Sequence, residues 1–535
     1  MTPLGVAVGG SRQVVEAATH ALREGGNAAD AAVAGAIATS SGEPSLTSLA
    51  GGAIVLHRDG FTGAVTVLNG FATAPGLDGR RGPRPADPAE GLPPLEFVPI
   101  ELDFLVGGAK QTFHVGRGAA AVPGTLPALF EAQKRWGRLD PRTVLQPAIA
   151  QLEGGVVLNA YQTQCKRVLS PILRRSSLGR KRFFLSGGSV LSPGDVFRCP
   201  ELARTLRDIG DRGVGAVGGE IADRVAGAFG EAAGGLITPA DLAAWRSGIG
   251  PGLAGAYRGA AVYGCPAPAV GGRFIAHTLA LMERFDLAGA PDEGARLWRL
   301  TAILRAVSEL RGEIEDLLDR EEAAALLESR VETILGGGEA PDGRPEPRVP
   351  GNTTHIGVID AEGNAAGITL SYGEGNGYEI PETGLLMNNF LGEADLFPRG
   401  FHRYTPGERL PTMMSPTIVV EPDGAVSVIG AGGANRIRTA IPQVVSALVD
   451  RGDRSEGAVT RGRIHVEEGV LSAEVYAIEG GQASLDRARS LVREVKPIRE
   501  RSLFFGGVHV ARRRADGTFG GFGDPRRDGT VEVVE

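Results

Sequence analysis

Lysine is nearly missing from this chain. Five lysines in 535 residues leave arginine to carry almost all of the positive charge. That shortage has no functional meaning of its own. Cysteine is scarcer still: Cys165, Cys199 and Cys265 are odd in number and far apart. They fit neither a disulfide framework nor a zinc cluster and read as reduced structural thiols. The eight histidines are scattered, with none paired at i, i+4, so no metal site is expected. There is no G-x-S-x-G elbow and no Walker-type lysine. No apolar stretch reaches membrane-spanning length. The start, MTPLGVAVGGSRQ, has no basic segment followed by an apolar run, which makes a cytoplasmic protein without membrane attachment the default expectation. A net charge of −7, with no basic stripe carrying interleaved aromatics, argues against nucleic acid as a partner.

What is present is a globular composition, 42% hydrophobic and 22% charged. The length suggests two domains or one large layered one. Glycine is abundant at 80 residues but shows no collagen-like period, so it marks tight turns and close backbone approaches. No internal repeat is detectable.

Small apolar residues recur at helical spacing through 11–40, first at Val14, Ala17, Ala18 and Leu22, then at Ala28, Ala31, Ala32, Gly35 and Ala38. The spacing predicts two packed helices broken at Gly25-Gly26. Gly51–His57 and Ala64–Leu68 read as a hairpin. The stretch from Pro75 to Pro99 reads as a surface loop, and 123–335 as mostly helical with short strands such as Ala260–Tyr263. A break in composition follows. Glycine, proline and charged residues over about 336–352 predict a mobile tether. Beyond it the pattern turns to strands: Ile356–Ile359 with Ala365–Ser371, then Thr417–Val420 with Ala425–Ile429, each pair joined by a turn. Ile437–Asp450 reads as a helix behind the loop Gly430–Asn435. Two strand layers with helices on either side would make a four-layer α/β/β/α sandwich.

The tether ends just before Asn352-Thr353-Thr354-His355. A threonine at the head of a strand becomes a new N-terminus if the chain cuts itself before it. Its freed α-amine would then serve as base for its own hydroxyl, so one residue would supply both nucleophile and proton acceptor. The same tether would equally serve as an interdomain linker, and most Thr-Thr pairs are simply β-face residues. His355 and His402 are candidates for a role only by neighbourhood. The loop Gly430-Ala431-Gly432-Gly433-Ala434-Asn435 stands between a strand and a helix. Unpaired N–H groups there could stabilise an oxyanion through Gly433 and Ala434. They could also serve a turn needing positive φ, and the two uses are equally compatible with the spacing.

The motifs taken together resemble the γ-glutamyltranspeptidase family of N-terminal nucleophile hydrolases, over nearly the whole chain. They are Glu24-Gly25-Gly26-Asn27-Ala28-Ala29-Asp30-Ala31-Ala32-Val33, Leu49-Ala50-Gly51-Gly52-Ala53, Ala233–Leu242, Pro266–Gly272, Thr353-Thr354-His355, Gly384–Asn389, Met414-Ser415-Pro416-Thr417 and Gly432–Ile437, in the family's order. The resemblance implies the four-layer fold and a precursor cut between Asn352 and Thr353. The large chain 1–352 and small chain 353–535 would stay together as one globule, and a homo-oligomer is compatible with it. It implies an acyl-enzyme on Thr353, released by water or an amine acceptor, with no cofactor. Ser371 falls where the family has a hydroxyl that orients the nucleophile, and Gly433 and Ala434 match the two oxyanion donors.

The recognition positions depart from the family. Its arginine for the substrate α-carboxylate is Phe71 in Phe71-Ala72-Thr73-Ala74-Pro75, which removes a charge-assisted fork. Its paired serines are Thr412-Met413. Its asparagine beyond the orienting hydroxyl is Gly373, the glutamine after Asn388-Asn389 is Phe390, and the acidic residue for the substrate amine is Glu393; these positions, with Asn389, are the expected substrate contacts. Losing the clamp should weaken binding of a glutamyl head by several kcal/mol, roughly the value of a truncated buried charge contact. The expected reaction is therefore hydrolysis or acyl transfer on a small molecule other than an ordinary γ-glutamyl compound. The alternatives are a γ-glutamyl hydrolase or transferase with a rebuilt head-group site, an amidohydrolase, acylase or carbon–carbon bond hydrolase of a specialised pathway, an inert binding protein of the same fold, and a nucleotide-dependent oxidoreductase using the glycine loop.

Overall fold

A computed structural model describes residues 3–81, 90–103, 110–213, 215, 217–317, 320–338, 352–397 and 400–535. Of the expected tether over 336–352, positions 339–351 lie outside the described residues.

Two antiparallel sheets stack to form the centre. The first has seven strands in the order Thr530–Val534, Gly5–Gly9, Thr353–Asp360, Ala365–Ser371, Gly52–Arg58, Val65–Gly70 and Gly248–Pro251. The second has six, in the order Phe519–Phe522, Gly507–Arg513, Val426–Gly432, Thr417–Val420, Ala260–Gly264 and Leu253–Tyr257. Strand alternation separates the two faces of the first sheet, because successive side chains point to opposite sides. Val6, Val8, Ile54 and Leu56 join the core that continues into the second sheet. Ala7, Ala53 and Val55 face the helices outside.

Those outer helices begin where the sequence predicts. Ser11 accepts from Val14 N to cap Arg12–Arg23. Asn27 caps Ala28–Gly42 in a reciprocal capping box with Asp30. The second helix is buried along its whole length, which a helix of alanine, glycine and serine tolerates because its narrow surface admits neighbours on every side. A methyl at Gly35 would lie 3.1 Å from Ile356 Cγ2, so the helix rests directly on the strand that Thr353 begins. On the opposite side Gly271–Arg284 and Ile437–Arg451 cover the second sheet. The result is the four-layer α/β/β/α sandwich.

The hairpins Gly52–Arg58/Val65–Gly70, Thr353–Asp360/Ala365–Ser371 and Thr417–Val420/Val426–Gly432 all form. Gly248–Pro251 and Leu253–Tyr257 were not singled out by pattern. Both are glycine-rich edge strands whose state is set by the neighbour they pair with rather than by propensity. No helix among the described residues is long and apolar enough to cross a membrane.

Candidate active site

Register places the candidate nucleophile. Thr353 opens its strand and lies directly opposite Ser371, the last residue of the partner strand. Ser371 Oγ donates to the Asn352 carbonyl oxygen, and Gly373 N donates to Ser371 Oγ at 3.1 Å. The Asn352 side-chain amide donates to Glu374 Oε2. Arg527 Nη1, from the far end of the chain, donates to the Thr353 carbonyl at 2.7 Å. The bond between Asn352 and Thr353 is therefore gripped on both sides.

A cavity of about 60 Å³ opens at this point. Asn352, Thr353, Ser371, Gly373 and Ala434 line its reactive side. Phe71, Phe390, Glu393, Thr412 and Met413 line the rest, with Arg311, Asp395 and Asn435 also on the wall. The Phe71 and Phe390 rings meet with centroids 4.6 Å apart. Phe71 can lie there because Gly52 has no side chain: a methyl would fall 2.4 Å from Phe71 Cδ2. Glu393 Oε1 is sealed from solvent and accepts no hydrogen bond from the described residues. Burial, followed by repulsion from Glu374 and Asp395, pushes its carboxyl well above the usual carboxylate range. A methyl on Gly373 would sit 2.0 Å from that same oxygen, so the glycine is what admits Glu393.

Two of the expected positions are not on the cavity wall. Asn389 spends its side chain on backbone, accepting from Glu374 N at 2.8 Å and Gly375 N at 3.1 Å and donating to His114 O at 3.3 Å. It shapes the 373–375 turn rather than facing a ligand. Gly433 lies just behind the wall at φ +127°. Next to it Ala434 has φ +48°, a left-handed conformation that costs a residue with a side chain about 1–2 kcal/mol. Gly432 packs against the strand that Thr353 begins, since a methyl there would lie 2.0 Å from the Thr353 carbonyl oxygen.

His355 is buried between the sheets, 3.0 Å from Thr369 Oγ1, with Gly430 flat against its ring. Burial, with His509 nearby, holds it well below the usual histidine range. It is a structural group beneath the site. His402 packs on the Phe97 ring at 4.5 Å.

Sequence reasoning overlooked a buried polar set beneath Thr353. Glu43 lies against Thr354 and Arg527, and burial raises its carboxyl to about 7. Burial likewise raises Glu374 to about 8, against the pull of Asn352 and Arg527. No local pattern marks these residues. They come from positions 43, 374 and 527, and only their shared burial singles them out.

The sequence profile of the γ-glutamyltranspeptidase family matches residues 15–80 and 100–534. The chain belongs to the γ-glutamyltranspeptidase family. It is an N-terminal nucleophile hydrolase in a divergent branch of that family. Acylase ACY 1 proenzyme of Pseudomonas sp. (strain SE83) is 30% identical over 540 residues, covering 97% of this chain and 91% of the relative. Glutathione hydrolase proenzyme of Bacillus subtilis (strain 168) is 26% identical over 497 residues, covering 87% and 80%. The cephalosporin acylase from Bacillus halodurans superposes with a TM-score of 0.80 at 22% identity, over 100% of this chain and 96% of that one, which establishes the fold that this family member shares with it.

Proposed function

We propose that this family member is a self-processing hydrolase or acyltransferase with Thr353 as its nucleophile. The carrying observation is the Asn352-Thr353 junction, whose carbonyl is polarised by Ser371 and which opens onto the cavity. Attack of Thr353 Oγ on the Asn352 carbonyl carbon breaks the peptide C–N bond. The hydroxyl proton ends on the departing nitrogen, which becomes the free α-amine. Water then hydrolyses the resulting ester, leaving chains 1–352 and 353–535 associated through the shared sheets. In turnover the α-amine takes the proton of Thr353 Oγ, and that oxygen attacks the substrate's acyl carbon. The bond from that carbon to the leaving group breaks as the α-amine passes the proton to the leaving group. Water or an acceptor amine then takes the acyl group, and Thr353 Oγ regains a proton. Gly433 and Ala434 N–H groups would bear the charge on the substrate oxygen.

The substrate is an acyl compound other than an ordinary γ-glutamyl one. The Phe71–Phe390 wall offers apolar surface where a carboxylate would need a cation. An amidohydrolase or acylase reaction fits that wall, and the acylase named among the relatives supports the same direction. Carbon–carbon bond hydrolysis would use the same nucleophile and oxyanion donors.

A denaturing gel of the purified full-length protein tests the processing step. The 55.6 kDa chain should resolve into bands of about 37 and 19 kDa. A single uncut band in protein that turns substrate over would end the proposal.

A further inference from the structure

Asn435 follows the two proposed oxyanion donors and is 2% exposed. Its amide is tied on both sides. Oδ1 accepts from Arg311 Nη1 at 3.0 Å, while Nδ2 donates to Glu467 Oε1 at 2.9 Å and to Asp395 Oδ2 at 3.2 Å. Each partner stands on a different element. Arg311 opens the helix Arg311–Asp316, Asp395 lies in the turn Ala394–Leu396, and Glu467 ends the strand Ile464–Glu467. These partners are themselves braced. Arg311 also bonds Glu315 Oε1 at 2.8 Å and the Asp395 carbonyl at 3.0 Å. Glu467 meets His465, which meets Thr439 on the helix Ile437–Arg451 at 2.9 Å.

The loop needs such bracing. Ala434 is held in left-handed backbone, a state that persists only where the surroundings over-determine it. An amide fastened to three elements immediately after it supplies that determination.

We infer that Asn435 is a positioning residue that fixes the Gly433–Ala434 N–H pair for substrate turnover and is dispensable for self-cleavage. This rests on the reading of Thr353 as nucleophile. The two reactions place their negative charge differently. In self-cleavage the charge develops on the Asn352 oxygen, which already accepts from Ser371 Oγ, steadied by Gly373 N. In turnover the charge develops on a substrate oxygen held in the cavity, where Ala434 is on the wall. Loosening Asn435 therefore harms the second reaction and spares the first.

The test compares wild type, Asn435→Ala and Asn435→Asp as full-length chains. It reads the rate of cutting on gels and kcat and KM on p-nitroanilides of phenylacetic acid, glutaric acid and the γ-glutamyl group, using whichever the wild type hydrolyses fastest. Both variants should cut within about threefold of the wild-type rate, while kcat falls about 10- to 100-fold and KM moves less than about threefold, as expected when an interaction made only in the transition state is lost. Asn435→Asp should lose more, because it sets a third carboxylate against Glu467 and Asp395. Arg311→Lys, acting from another element, should show a smaller fall of the same kind. An unchanged kcat in variants that cut normally overturns the inference. So does a fall in cutting and turnover by the same factor, which would make Asn435 a general fold residue. A wild type that never cuts overturns the reading of Thr353 and this inference with it. One that cuts but hydrolyses none of the anilides leaves that reading standing and overturns the inference, because the second reaction assigned to the loop is then absent.

Discussion

The two sides of the cavity keep to the family resemblance to different degrees. The proposed reactive side holds Thr353, Ser371 and Ala434, with Gly433 behind it, placed by strand register and by a loop packed directly on the strand that Thr353 begins. The recognition side holds Phe71, Phe390, Met413 and Glu393, of which the first three differ in chemical type from what the family resemblance implies. Bond-making chemistry depends on a few atoms at fixed distances and tolerates little change. Recognition depends on the charge and shape of one substrate, and an apolar ring can replace a guanidinium without disturbing the sheet beneath it.

The sharpest way to break this contrast is Thr353→Ala. It should abolish both cutting and turnover, with one band on a gel and no anilide hydrolysis. Persistent cutting would assign the chemistry elsewhere. Ser371→Ala removes the donor to the Asn352 carbonyl and should slow cutting about 10²-fold, the usual scale for one oxyanion donor; the appearance of the two bands over time measures it. On the other side, Phe71→Arg should raise kcat/KM on γ-glutamyl p-nitroanilide about 10- to 100-fold, the value of one charge-assisted contact at about 1.5–3 kcal/mol. If that variant stays as weak as wild type on this anilide, the position does not set the preference.

Two smaller effects concern the ground beneath the reactive side. Glu43 and Glu374 have folded-state pKa values raised to about 7 and about 8 from 4.5. The folded chain then binds more protons than the unfolded chain between pH 4.5 and 8, so stability falls as pH rises through that window. Thermal unfolding from pH 5 to 8 should show the slope, and Glu43→Gln, neutral at every pH, should flatten it. Last, Ala434→Gly removes the left-handed penalty and should stabilise the folded chain by about 1 kcal/mol, read as an upward shift in Tm.

Strand hairpins were legible because period-two apolar patterns and turn residues are local signals. The break at Gly25-Gly26 and the helix behind residue 436 were legible for the same reason. Thr353, Ser371, Gly433 and Ala434 could be named from motif order alone. Asn389 was expected to face the substrate, but its side chain is consumed by the backbone of a neighbouring turn. Asn435, Glu43 and Arg527 carried no visible signal, because a polar residue in a loop looks the same in sequence whether it is solvated or buried.

The order of residues by itself determined most of the elements, which family the chain joins, and where a threonine could be freed as a new N-terminus, since each is written in short-range pattern; the edge strands Gly248–Pro251 and Leu253–Tyr257 are the exceptions. Only tertiary structure decided that positions 71, 311, 353, 390, 393 and 435 share one cavity, and that Asn435 braces a strained turn. Those relations join segments tens to hundreds of residues apart, and the energies that hold them come from burial and from hydrogen bonds made only once both sheets have stacked.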